Sequence, residues 1–200
     1  MTTWIVLRAA GVGAYMMLFL AVAWGLIATT GVVSRRIAKN TSVLIHQVLG
    51  SVGLLLLAIH MAGLLLDEFV EFDALDLLIP LRVEKRPVAI ALGVVGMYVA
   101  VVVLVTSWFR KGIGPVWWRR THLLATPAFV LGMAHGMVAG TDTTRPWMWW
   151  TYVGTALVIV FLLVVRALAG AKQRANGAQH ARPSEVEQRV EEKAGAGAAN

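Results

Sequence analysis

The stretch Ser42-Val-Leu-Ile-His46-Gln-Val-Leu-Gly50-Ser-Val-Gly-Leu-Leu-Leu-Leu-Ala58-Ile-His60-Met-Ala-Gly63-Leu-Leu-Leu66 runs for 25 residues without an Asp, Glu, Lys or Arg. A helix that crosses a bilayer needs roughly 20 mostly apolar residues. This run meets that need and carries two histidines inside it. Four more runs share its character: Ala9–Val33, Val88–Phe109, Thr121–Gly140 and Trp147–Ala169. The one charge within the five is Arg166, at the last end. The chain of 200 residues is 58% hydrophobic and 14% charged. A soluble domain has about a quarter of its residues charged. The expected fold is an all-α integral membrane bundle of five transmembrane helices over residues 1–169. Residues 170–200, rich in Ala, Gly, Glu, Gln and Arg, are expected as a disordered cytoplasmic tail.

The loops alternate in charge. Arg35, Arg36 and Lys39 follow the first run; Asp67, Glu68, Glu71, Asp73 and Asp76 follow the second. Arg110, Lys111, Arg119 and Arg120 follow the third, and Arg166, Lys172 and Arg174 close the fifth. Basic loops stay on the cytoplasmic side, so the N-terminus is expected outside and the C-terminus inside. Arg8 and the group Arg82, Lys85, Arg86 run against this assignment. Trp117 and Trp118 are expected at the inner interface and Trp4, Trp147, Trp149 and Trp150 at the outer one, where indoles anchor at headgroup level. Ala21-Val22-Ala23 resembles a signal cleavage site, but the apolar run continues to Val33 and ends in positive charge, so it is read as a span. The net charge of +7 lies largely in these short loops, which is membrane topology and not nucleic-acid binding. The mixed segment Asp67–Pro87 is expected along the outer interface, as cover over a site or as membrane contact.

With no cysteine, the chain has no disulfide, no thiolate metal site and no covalent haem attachment. Gly11-Val12-Gly13 lies in a span and the Gly-Ala-Gly of the tail lacks a strand before it, so neither is a dinucleotide fingerprint. What remains is histidine. His180 is in the tail. His46 and His60 lie on the second span, His122 and His135 on the fourth. Ionisable groups inside a membrane are costly and mark function. The second and fourth spans run in one direction, so His46 and His122 share the inner level and His60 and His135 the outer. Separations of fourteen and thirteen residues put the levels ~20 Å apart. That spacing admits two stacked porphyrins, each held by one imidazole from each helix. It is too long for four ligands on one ion, where bonds are about 2 Å.

The angular requirement is met unequally. Fourteen residues return to within about 40° of the starting face, whereas thirteen miss by about 140° on a straight helix. Pro127 lies between His122 and His135 and is expected to kink that helix. Gly50, Ser51, Gly53, Gly63, Gly132 and Gly136 surround the ligands and suit either a flat macrocycle or close helix packing. Phe129 and Met133 fall between the levels. Propionates are anionic, so Arg119 or Arg120 is a candidate partner at the inner level and Arg145 at the outer; a solvated topology charge is the alternative for each.

On these residues the sequence resembles the ferric reductase-like transmembrane domain family, which includes the membrane parts of NADPH oxidases and ferric reductases and the haem subunit of a methionine sulfoxide reductase system. The matching segments are His46-Gln-Val-Leu-Gly50 to Ala58-Ile-His60, and Trp118-Arg-Arg-Thr-His122 to Ala134-His135-Gly136, then Ala139-Gly140-Thr141-Asp142-Thr143. The resemblance implies single-electron transfer across the membrane through two b-type haems, with His46 and His122 ligating the inner and His60 and His135 the outer. NADPH oxidases carry a flavin and nicotinamide domain after the last helix, and no FAD or NAD site is expected in this chain. The donor is then expected to be a separate flavoprotein or membrane quinol. The acceptor is expected at the outer face: ferric iron, oxygen, a flavoprotein or a repair enzyme. The composition suggests a bacterial inner membrane. The competing readings are a histidine-based proton or metal-ion transporter, which lacks the expected intramembrane acids, and a non-catalytic assembly partner.

Overall fold

The structure is a computed structural model. It describes residues 2–30, 37–67 and 72–197, with side chains from residue 3 to residue 178 within those ranges. Arg35, Arg36, Glu68, Phe69, Glu71 and the His180 side chain lie outside that description. The described elements are α1 (Thr2–Thr29), α2 (Lys39–Leu66), α3 (Pro87–Trp108), α4 (Arg110–His122), α5 (Ala125–Ala139) and α6 (Pro146–Gly197). Helices α1, α2, α3 and α6 are each long and apolar enough to cross a membrane, and α4 with α5 forms a bent pair, 41° at its break, that is long and apolar enough for a fifth crossing when taken as one broken span. The protein is therefore an all-helical, multi-pass membrane bundle. Its surface fits that reading. Leu66, Trp108 and Trp150 are 72%, 80% and 66% exposed, which lipid tolerates and water does not.

The fourth crossing corrects the expected boundaries. The basic loop anticipated between the third and fourth spans is helical, and α4 covers it. Gly114 breaks α4 with φ 79°, a conformation open to glycine, and Pro115 restarts the helix. The second break falls at Leu123 and Leu124, four residues before the proline that causes it. Pro127 has no N–H to return to the Leu123 carbonyl, and its ring crowds that carbonyl. The Thr126 amide takes the carbonyl instead, at 3.3 Å, and regular bonding resumes with Ala128 N to Leu124 O at 2.9 Å. Pro127 thus sits in the first turn of α5, where a missing donor costs nothing. At 15 residues, α5 alone is ~22 Å long. The end of α4 supplies the remaining depth, and His122 is its last residue.

Two antiparallel helix pairs form the walls of the bundle. In one, α1 packs along α2; in the other, α3 packs along α5. Helix α1 is central because it is apolar on two roughly opposite sides. Leu7, Ala10, Ala14 and Ala21 form one buried stripe, and small side chains there let α2 approach closely. Phe19, Ala23 and Leu26 form the other, and meet Phe129 of α5 and Ile159 and Leu162 of α6 in the core. The indole N–H of Trp24 donates to Ser42 O at 2.9 Å and ties the end of α1 to the start of α2.

The connection from α2 to α3 folds back over the end of the bundle that carries His60 and His135. Asp73 accepts from the amides of Leu75 and Asp76 at 2.7 and 2.9 Å. Arg82 grips Asp73 and Asp76 at 2.5 and 3.1 Å. The Tyr98 hydroxyl donates to Leu78 O, and Arg86 reaches Val138 O at 3.2 Å. Leu77 is buried beneath this turn. At the other terminus, α6 passes the expected boundary at Ala169 and continues to Gly197. Residues 171–178 are exposed on every side. An isolated helix is marginal in water, so composition and exposure alike describe a stretch that the bundle does not hold.

Candidate functional site

The four intramembrane histidines are each gripped by a neighbouring helix through Nδ1. His46 Nδ1 lies 3.0 Å from Ala21 O and His60 Nδ1 lies 2.9 Å from Leu7 O, both on α1. His135 Nδ1 lies 2.7 Å from Ala89 O, on α3. His122 Nδ1 lies 3.2 Å from Ser107 Oγ, also on α3. A carbonyl only accepts, so Nδ1 is the donor in the first three rings, and in a neutral imidazole that leaves the lone pair on Nε2. This is the arrangement of a metal-ligating histidine, whose other nitrogen donates to a carbonyl or similar acceptor that fixes tautomer and orientation.

The seats for these rings are glycines on the facing helix. A Cβ on Gly11 would lie 2.9 Å from His60 Nδ1, one on Gly25 would lie 3.3 Å from His46 Cε1, and one on Gly93 would lie 2.8 Å from His135 Nδ1. Each glycine is four residues beyond the accepting carbonyl: Leu7 and Gly11, Ala21 and Gly25, Ala89 and Gly93. One helical turn therefore offers both a flat bed and an acceptor at its edge. The glycines that adjoin the histidines on their own helices, Gly50, Gly63, Gly132 and Gly136, are not these seats. Gly11 and Gly25, fourteen apart like His46 and His60, were the signal for the partner helix.

All four histidines line one cavity of about 1560 Å³ between the two walls. Single-ligand pockets run ~300–1,000 Å³, so this one exceeds the upper end. The inner pair is brought together: His46 and His122 have ring centroids 5.7 Å apart. Two metal–imidazole bonds of about 2 Å each, with a ring half-width on either side, span a similar distance. Gly50 and Gly132 line the cavity as well, and a Cβ on either would meet no protein atom within 4 Å. Side chains there would project into the cavity itself. Among the described residues no group of three or more His, Cys, Asp or Glu converges on a point. A close pair of imidazoles beside one largely apolar cavity fits a macrocycle that brings its own equatorial ligands.

Charge is distributed unevenly along the cavity. Arg110, Lys111, Arg119 and Arg166 line it toward the His46 and His122 end. Toward His60 and His135 it is lined by Arg8, ion-paired with Asp142, and by Phe72 and Leu77 of the folded-back connection. Of the arginines expected near propionates, Arg119 lines the cavity, Arg120 lies over the Trp117 ring at 5.4 Å, and Arg145 is outside the lining, with its amide bonded to Asp142 O at 2.8 Å. Trp118, expected only as an interfacial anchor, stacks on His122 at 5.3 Å and 29°. Phe129 lines the cavity between the levels, stacked on Tyr15 at 5.4 Å, while Met133 packs against the core.

Two comparisons with known proteins, one with curated proteins and one with solved structures, return no match. A family model described as the ferric reductase like transmembrane component matches residues 10–133, which takes in His46, His60 and His122 and stops two residues short of His135. That match spans more than half of the chain, and the protein belongs to the ferric reductase-like transmembrane family.

Proposed function

We propose that this chain passes single electrons across the membrane between two b-type haems, the inner held by His46 and His122 and the outer by His60 and His135. Membership of the family gives the coarser part of that reading, a reductase-type transmembrane electron-transfer component. The observation that carries the finer part is the Nδ1 anchoring of all four histidines around one cavity. Haem held by His46 and His122 at one level and by His60 and His135 at the other would supply a one-electron couple at each. The protein holds the rings at fixed tautomer, excludes water with Leu, Val and Phe side chains, and spaces the levels through the rigid α1–α2 pair.

The charge pattern supports electron entry at the cytoplasmic face and exit outside. Basic α4 lies at the His46 and His122 end, which the positive-inside rule assigns to the cytoplasm. The arginines that ran against this orientation have local partners: Arg8 with Asp142, Arg82 with Asp73 and Asp76, Arg86 with backbone carbonyls. A potential negative inside favours outward electron movement by about 2.3 kcal/mol per 100 mV. The donor in this reading is a separate flavoprotein or membrane quinol, the acceptor an outer-face oxidant, and the membrane a bacterial inner membrane.

The test is a reduced-minus-oxidised spectrum with haem quantified as the pyridine haemochrome, on the protein and its four single His→Ala variants. Two haems per chain are expected, one lost in His46→Ala and His122→Ala and the other in His60→Ala and His135→Ala. A protein that stays colourless under ample haem supply overturns the reading and returns the histidines to transport.

A further inference from the structure

Three of the four histidine seats are built alike and one is not. His46, His60 and His135 each lie on a glycine and reach a main-chain carbonyl four residues before it, at 2.7 to 3.0 Å. His122 has no such seat. Helix α3 ends at Trp108, one residue beyond Ser107, and the position four beyond Ser107 is Lys111 of the next helix. There the ring meets a side-chain hydroxyl, at 3.2 Å, the longest contact of the four. The neighbouring hydroxyl of Thr106 bonds back along its own helix to Val102 O at 2.7 Å, whereas Ser107 is turned to the histidine.

We infer that Ser107 is a positioning residue for the inner haem, and that its hydroxyl, standing where the other histidines have a carbonyl, sets the inner potential apart from the outer. The inference rests on the dihaem reading above. An imidazole that donates from Nδ1 gains basicity at Nε2. An electron-rich ligand favours ferric iron, and hydrogen bonding around the axial ligand is one of the protein's levers on potential. A hydroxyl accepts less strongly than an amide carbonyl, and here from further away. His122 is thus the least electron-rich of the four ligands, and the inner site holds an electron more readily than a carbonyl anchor would allow. Arg110, Lys111, Arg119 and Arg166 line the same end and act in the same sense, since positive charge favours the reduced state. The outer site, with two carbonyl anchors, lies lower. That step costs energy in a de-energised membrane and is offset where the inside is negative.

The test is a spectroelectrochemical titration of both haems in the parent and in Ser107→Ala, Ser107→Asn and Ser107→Thr, with the haems assigned by the His→Ala variants. Ser107→Ala removes the acceptor and is expected to raise the inner potential. Ser107→Asn offers a side-chain carbonyl and is expected to lower it. Ser107→Thr keeps the hydroxyl and the parent value. Each shift is expected near tenfold in the ferric-to-ferrous ratio, about 59 mV for one electron, with the outer haem unmoved. If Ser107→Ala sheds the inner haem alone, restoration by Ser107→Thr supports the inference and continued loss overturns it. Shifts of one sign for Ala and Asn, shifts shared by both haems, or no shift overturn it while leaving two haems in place. A parent without haem overturns the functional reading instead.

Discussion

The α1–α2 wall and the α3–α5 wall do the same work by different means. Helix α2 is unbroken, and His46 and His60 are separated by fourteen residues, close to a whole number of turns. Helix α1 mirrors it, with acceptors at Leu7 and Ala21 and glycines at Gly11 and Gly25, again fourteen apart. In the second wall His122 and His135 are thirteen apart, which a straight helix turns to different faces. The break after His122 uncouples the two, and α3 meets them with Ala89 and Ser107, eighteen residues or five full turns apart. Regular periodicity presents one pair of histidines, and an interruption of it presents the other.

The largest expected effects come from filling the glycine seats, because a ring cannot lie where a methyl stands. Gly93→Ala places Cβ within 2.8 to 3.0 Å of three His135 ring atoms, and Gly11→Ala within 2.9 Å of His60 Nδ1. Both are expected to weaken outer haem binding by about 10- to 100-fold, the usual cost of disturbing a ligand's support. Gly25→Ala leaves 3.3 Å to His46, so the inner haem is expected to persist with weaker retention. Haem content after a graded wash with apomyoglobin measures the order. Equal behaviour of all three variants would mean that the rings shift freely and the seats do not position them.

The comparison also separates what the sequence discloses from what it hides. The spans, the histidine levels and the need for a kink near Pro127 follow from apolar length and the 3.6-residue turn, which are local properties. The position of the break was legible too, since a proline disturbs the carbonyl four residues before it. The helical character of Arg110–His122 was hidden by its charge, although Trp117, Trp118 and basic residues at helical spacing suit an interfacial helix. The glycine seats were misplaced because the ring and its bed belong to different helices, and only packing joins them. Arg8 runs against the topology in the sequence, and its pairing with Asp142 depends on the loop before α6 reaching back to α1.

A smaller effect is expected from Pro127→Ala, which makes the second wall resemble the first. An alanine amide at 127 can bond Leu123 O and extend α5 backward through the break. His122 then turns away from the His135 face by about 140°. The expected result is partial loss of the inner haem, less than at the filled glycine seats, with the outer retained, and closer coupling of the two ends of the wall. Unchanged binding of both haems would show that packing against α3, and not the proline, sets the break.

The smallest effect concerns the connection that joins the two walls at the outer end. The Arg82 hydrogen bond, followed by the Asp76 amide, holds the Asp73 carboxyl below its ordinary value of 3.8. A carboxylate with a lowered folded value adds stability above that ordinary value and loses it as the pH falls through the folded one. The Asp73 and Arg82 side chains are exposed, so solvent screens the pair and its contribution to the whole bundle is slight. Hydrogen exchange corrected for intrinsic rates reads it locally, at the Leu75 and Asp76 amides bonded to Asp73. Arg82→Gln is expected to lower their protection at pH 7, and the difference from the parent to vanish once acid has protonated Asp73 in both. Because Phe72 and Leu77 reach from this turn into the cavity lining, a loosened turn should also speed dithionite reduction of the outer haem while leaving the inner rate unchanged. Equal acceleration of both haems would assign the effect to the bundle as a whole and remove the connection from the outer site.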